Sequence, residues 1–189
     1  MVADDKLRAD ARANRDQILH VARDRLAANP AASLNSIAKA AGVGAGTLYR
    51  HFPNRESLIL SVYRQEIDSL VALAPKLLGK HPSLHAFRMW CDRLFKFGKM
   101  KYGIADIVHA ATSDQHRQET YCQILGAVRL LIDACESSGD IRAGTDPEDF
   151  LVLLGLLWRI PPNSAGEARV KRLLALAFRG LSAGDTDVA

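Results

Sequence analysis

Thr47, Tyr49, Arg50 and His51 lie within five residues of one another, and each can donate a hydrogen bond to a phosphate oxygen or a base edge. Over residues 33–55 the only charged side chains are Lys39, Arg50 and Arg55, with no Asp or Glu. An acid-free, hydroxyl-bearing cationic stretch suits a polyanion better than a catalytic centre, and the spacing predicts docking on duplex DNA. The small residues Gly44, Ala45 and Gly46 would let backbone approach a groove wall. The alternative for this stretch is a plain αα-hairpin, in which two short helices joined by a glycine turn serve packing alone.

Four helices are required to hold these groups. Ile18, Ala22 and Leu26, with Leu19 beside them, predict a helix over about 11–28, stopped by Asn29-Pro30. Ser33 then caps a short helix whose inner stripe is Leu34, Ile37, Ala38 and Ala41, and Gly42 falls where a left-handed residue is wanted. The third helix opens near Ala45 and turns Leu48 and Phe52 inward. Pro53 ends it, and Asn54 caps a fourth helix over about 55–72.

The order Ser33-Leu34, Ile37-Ala38, Ala41-Gly42-Val43, Gly46-Thr47-Leu48-Tyr49, His51-Phe52, Arg55 and Leu58 resembles the TetR family of bacterial transcriptional regulators (AcrR-type) over about residues 12–70. The later DPEDFLVLLGLLWR segment and closing FRGL are similar to the SbtR-like group. The resemblance implies that Tyr49, His51 and Arg55 grip phosphates. It implies too that Ser33 and Ser36 offer hydroxyls or N–H groups to a neighbouring phosphate, and that Thr47 and Arg50 read bases. Family members often carry polar or cationic side chains where this chain has Gly44 and Ala45, so readout should lean on Arg50 and Thr47, with Ala45 meeting a thymine methyl. It also implies a repressor whose effector, binding the second domain, displaces helix 4 and respaces the two recognition helices of a dimer.

Pro75, Gly79 and Pro82 mark the clearest break in composition, which divides the chain into a helix-turn-helix domain over 1–72 and an effector-binding and dimerisation domain over 73–189. Helical patterns follow at about 83–100, 104–113, 115–138, 147–160 and 165–182, with Gly103 among the stops. No strand pattern competes, so the fold class is all-α: an N-terminal three-helix DNA-binding domain followed by an all-helical domain. The last two helices are apolar over much of their circumference, which predicts a homodimer in which they pair as a four-helix bundle. Burial within one subunit is the alternative. Two copies set one DNA turn apart would read a palindromic operator. Trp90, Phe95, Phe97, Tyr102, Tyr121 and Trp158 are candidates to line an effector cavity, against a plain core role. Residues 76–101 carry seven cations and one acid, whereas 105–149 carry nine acids and three arginines. That contrast is read as solvated faces that attract one another, with an anionic-effector pocket or extra DNA contact as the alternatives.

The 189 residues, 48% hydrophobic and 24% charged, are ordinary for a globular protein, and the net charge of +4 singles out neither half. Cys91, Cys122 and Cys135 form no CxxC pair and are read as small buried hydrophobes. The charged first sixteen residues lack an apolar core and no apolar run is long enough to span a bilayer, so a cytoplasmic location and no membrane partner are expected. GxGxxG, P-loop, HExxH and GxSxG patterns do not occur, so no catalytic residue and no cofactor is expected, although a small all-α enzyme is the rival class. His81, His85, His109 and His116 lack neighbouring acids or cysteines that would complete a metal site, and none is predicted. A third reading is a dimeric interaction protein whose helix-turn-helix no longer binds DNA.

Overall fold

The computed structural model describes residues 2–157 and 159–183, with the side chains of 2–9 and 99–102 excepted. The described residues form eight helices: α1 (Val2–Ala28), α2 (Leu34–Ala40), α3 (Ala45–His51), α4 (Arg55–Leu78), α5 (Ser83–Ala111), α6 (Asp114–Ser137), α7 (Pro147–Leu157) and α8 (Ser164–Leu181). There is no strand among them, only one isolated bridge between Ile141 and Ser182. The all-α class read from the sequence is the observed one.

By packing, residues 1–66 and 100–112 form one unit, and 67–99 and 113–189 another. In the first unit Ile18, Leu19, Ala22 and Leu26 of α1 are buried with Ile37 and Ala38 of α2, Leu48 of α3, Phe52, and Leu58, Ile59 and Val62 of α4. Each large side chain so buried contributes about 1.5–3 kcal/mol, and this core roots the short helices that could not stand alone. Arg23 of α1 reaches the carboxylate of Glu66, the buried acid of this unit, at 3.7 Å.

Three boundaries differ from the sequence reading. The α1 backbone is helical from Val2 rather than from about residue 11, in a stretch with no apolar stripe to reveal it. Helix α4 runs through Pro75 to Leu78, so that the proline lies inside its last turn. The stop placed at Gly103 is absent, because α5 is continuous from Ser83 to Ala111. Glycine is needed there for room: a Cβ on residue 103 would stand 2.3 Å from Cγ of Pro30. Close approach of α5 to the α1–α2 loop selects the residue, not the end of a helix.

The second unit is built around Phe87, Phe150 and Phe178, whose ring centroids lie 5.0, 5.2 and 6.0 Å apart. Asp146, immediately before Pro147, caps α7, accepting from the N–H groups of Glu148 at 2.7 Å and Asp149 at 3.2 Å. Helices α7 and α8 are not fully covered within the unit. Val152, Leu153, Leu156 and Leu176 are exposed, three of them by more than half. Cys91 and Cys135 are buried, but Cys122 is exposed, which corrects the reading of all three cysteines as core.

Candidate nucleic-acid interface

Helix α2 begins at Ser33, whose hydroxyl accepts from the Ser36 N–H at 3.2 Å while the Ser36 hydroxyl donates to the Ser33 carbonyl at 2.7 Å. Both serines are exposed, and both hydroxyls take part in the cap. At the other end Val43 N–H bonds the Ala38 carbonyl and Gly42 N–H the Lys39 carbonyl, with Gly42 at φ 69°. This paired closure is a Schellman motif, and its left-handed position is the one the sequence reserves for glycine. It sets the direction in which α3 leaves the turn.

Gly44 caps α3 by backbone alone, with no side-chain hydrogen bond. Gly44, Ala45 and Gly46 are all exposed, and a Cβ on either glycine would meet nothing within 4 Å. The start of α3 therefore presents bare backbone to solvent. One face of the helix is sealed, with Leu48 and Phe52 at 0% and 1% exposure. The opposite face is open: Tyr49 is 45% exposed, Arg50 is exposed, and Thr47 and His51 are half-buried. The Arg50 side chain folds back along its own helix, its Nη2 donating to the Thr47 hydroxyl at 3.1 Å and its Nε to the Gly46 carbonyl at 3.3 Å. Asn54 caps α4 reciprocally, since its carboxamide accepts from Ser57 N–H at 2.8 Å and its own N–H reaches the Ser57 hydroxyl at 3.3 Å.

Two residues hold roles that sequence spacing did not reveal. Arg55 donates to the carbonyls of Ala32 and Pro30, tying the first turn of α4 to the loop in front of α2. A guanidinium has five donors, so these bonds leave N–H groups for another acceptor. Arg15 of α1 lies over the Phe52 ring at 5.5 Å and adds an exposed cation beside α3. No motif flags it, because its role depends on the approach of α1 to α3.

These features, a capped helix, a Schellman turn and a short exposed second helix, make a helix-turn-helix. The pattern of bacterial regulatory proteins of the TetR family matches residues 18–62. That of the transcriptional regulator SbtR-like C-terminal domain matches residues 82–183, more than half of the chain. A TetR transcriptional regulator from Streptomyces coelicolor superposes with a TM-score of 0.81 at 34% identity, over 90% of this chain and 99% of that one. The chain belongs to the TetR family. A TetR transcription regulatory protein from Mycobacterium vanbaalenii is similar as well, at TM-score 0.76 and 28% identity, over 93% and 99% of the two chains. An HTH-type transcriptional regulator of Staphylococcus aureus (strain USA300) is 30% identical over 94 residues, 48% of this chain and 51% of that protein. The chain thus spans about half the length of the curated relatives it matches. TetR-family membership places it among DNA-binding helix-turn-helix regulators, which are not an enzyme family.

The aromatic residues of the second unit are dispersed. Trp90 is fully buried and donates its indole N–H to the Leu70 carbonyl at 2.8 Å, and Phe97 is 1% exposed. Both are placed as core. Phe95 is half-buried, and the half-buried Tyr121 donates its hydroxyl to Glu148 at 3.0 Å. The Tyr102 side chain and Trp158 lie outside the described residues. His81 and His85 meet edge to face at 5.3 Å, and among the described residues no group of three metal-ligating side chains forms. No helix among them is long and apolar enough to cross a membrane.

Proposed function

We propose that this TetR-family protein is a homodimeric repressor that reads a palindromic operator through α3 and is released by a small-molecule effector. One observation carries the DNA-binding part: Tyr49 and Arg50 face solvent on a stretch free of carboxylates while Leu48 and Phe52 anchor the same helix from behind. Tyr49 and His51 contact phosphates, joined by Arg55 through the donors its loop contacts leave unused. Ser33 and Ser36 approach a phosphate at the start of α2, Thr47 and Arg50 read base edges, and Ala45 meets a thymine methyl.

The dimer reading is supported by Val152, Leu153 and Leu156 of α7 and Leu176 of α8, apolar side chains that one subunit leaves in water. Their pairing with a second copy covers them, and two-fold symmetry then matches a palindrome. Effector release requires only that the ligand bind the non-operator conformation better than the operator-bound one. Helix α4 is shared by both units and carries Arg55 at its start, so a shift of α4 reaches the loop in front of α2. Footprinting on the DNA upstream of the protein's own gene tests the reading. Two protected half-sites about 10 base pairs apart, centre to centre, or a multiple of that, are expected; a single unsymmetrical footprint contradicts it.

A further inference from the structure

Between α5 and α8, within the second unit, lies a cleft of about 570 Å³, in the range of small-ligand sites. Arg88 of α5 and Lys171, Arg172 and Arg179 of α8 line it, against the single carboxylate of Asp92. Its base is apolar, formed by Leu174, Ala175 and Phe178. Among the described residues none of the four cations stands in an ion pair. The Arg88 guanidinium lies over the Phe178 ring at 5.3 Å, and that ring is held from behind by Phe87 and Phe150. Helix α8 carries four cations and, in Glu167, one acid, so the cleft side is not a face of interspersed charges. Lys171, Ala175 and Arg179 form one i, i+4 stripe, whereas Arg172 shares its i, i+4 row with the exposed Leu176.

Unpaired cations converging over an apolar base call for a ligand with two matching halves. Guanidinium groups bind phosphate or carboxylate bidentately, and their planes stack on aromatic faces. A bare inorganic anion would leave the exposed Ala175 and the aliphatic arms of Lys171 and Arg179 uncovered; a neutral aromatic would leave the cations unneutralised. We propose that this cleft binds a small organic anion with two or more negative charges and a flat apolar body. It names the chemical class of the effector in the proposed function, and it rests on that reading for its regulatory meaning alone.

Calorimetric titration of the full chain with 1-naphthyl phosphate, without DNA, tests the site. One molecule per chain is expected, bound about tenfold or more tighter than inorganic phosphate or neutral 1-naphthol. The exposed pair of changes Lys171→Gln and Arg179→Gln should raise Kd about tenfold or more at unchanged Tm, whereas Lys76→Gln, outside the cleft, leaves it unchanged. Equal binding by 1-naphthol, no saturable binding at millimolar ligand, or full binding by the double variant overturns the proposal. Operator release is read separately, in a mobility shift with the same compound. Binding that the double variant loses, without release, upholds the cleft and counts against the effector role. Release that persists in the double variant upholds the effector role and overturns the cleft.

Discussion

The Arg50 guanidinium and the Thr47 hydroxyl are joined by a hydrogen bond of 3.1 Å on the open face of α3. The two side chains proposed to read bases are thereby held together before DNA arrives, which limits the rotamer freedom Arg50 would lose on binding. Arg50→Ala is expected to cost about 1–3 kcal/mol of operator affinity and to relax preference at one base position. Thr47→Val, which removes the acceptor but keeps the shape, should cost about 1 kcal/mol at the same position. Fluorescence anisotropy over a panel of operator variants checks both, and a loss spread evenly over the panel contradicts the assignment.

Arg55 combines a fold role with a proposed phosphate role. Arg55→Ala removes the donors to the Ala32 and Pro30 carbonyls and should lower stability by about 1–2 kcal/mol. If Arg55 also meets a phosphate, the slope of log affinity against log salt falls by about one. Urea denaturation and a salt titration separate the two roles, and an unchanged slope assigns Arg55 to positioning alone.

Gly103→Ala tests the contact between α5 and the α1–α2 loop. Alanine favours a helix by about 1 kcal/mol, yet its Cβ would meet the rigid Pro30 ring at 2.3 Å. Overpacking of this kind costs about 1–3 kcal/mol, so the net change should be destabilising. A rise in Tm would contradict the described approach.

Much of this was legible in the sequence because the cues were local. Ser33, Gly42 and Asn54 sit at helix ends and act through neighbours within a few residues, so type and spacing sufficed. The anchors Leu48 and Phe52 followed from periodicity. What stayed hidden depends on contacts between distant segments. Gly103 reads as a helix stop until Pro30 is seen against it, and Arg55 reads as a free cation until the Pro30 and Ala32 carbonyls are placed. Trp90 shows the same limit: its spacing marks an inward-facing aromatic, but its bond to the Leu70 carbonyl, twenty residues away, has no sequence cue.

For the dimer, Leu156→Glu places a charge among the exposed apolar side chains of α7 and α8. Sedimentation should show the wild type as a dimer and the variant as a monomer of 20.7 kDa at micromolar concentration. A wild-type monomer would remove the symmetric reading of the operator.

The thiols offer a simple check of the second unit. Burial pushes Cys91 well above the usual thiol range and Cys135 up to about 11, with Asp92 and Asp140 adding to the respective shifts. Iodoacetamide near neutral pH should therefore modify Cys122 alone, as read by mass spectrometry of peptides. Because the folded state favours neutral Cys135, its contribution to stability is full below the ordinary thiol value of 9.0 and is lost as pH rises toward about 11.

Titration of the duplex upstream of the protein's own gene with purified protein, at low and moderate salt, tests the central claim most directly. Saturable binding that weakens steeply with salt and is lost when Tyr49 and Arg50 are both changed to Ala is the predicted result. Indifference to the duplex at low salt, or undiminished affinity in the double variant, would contradict it.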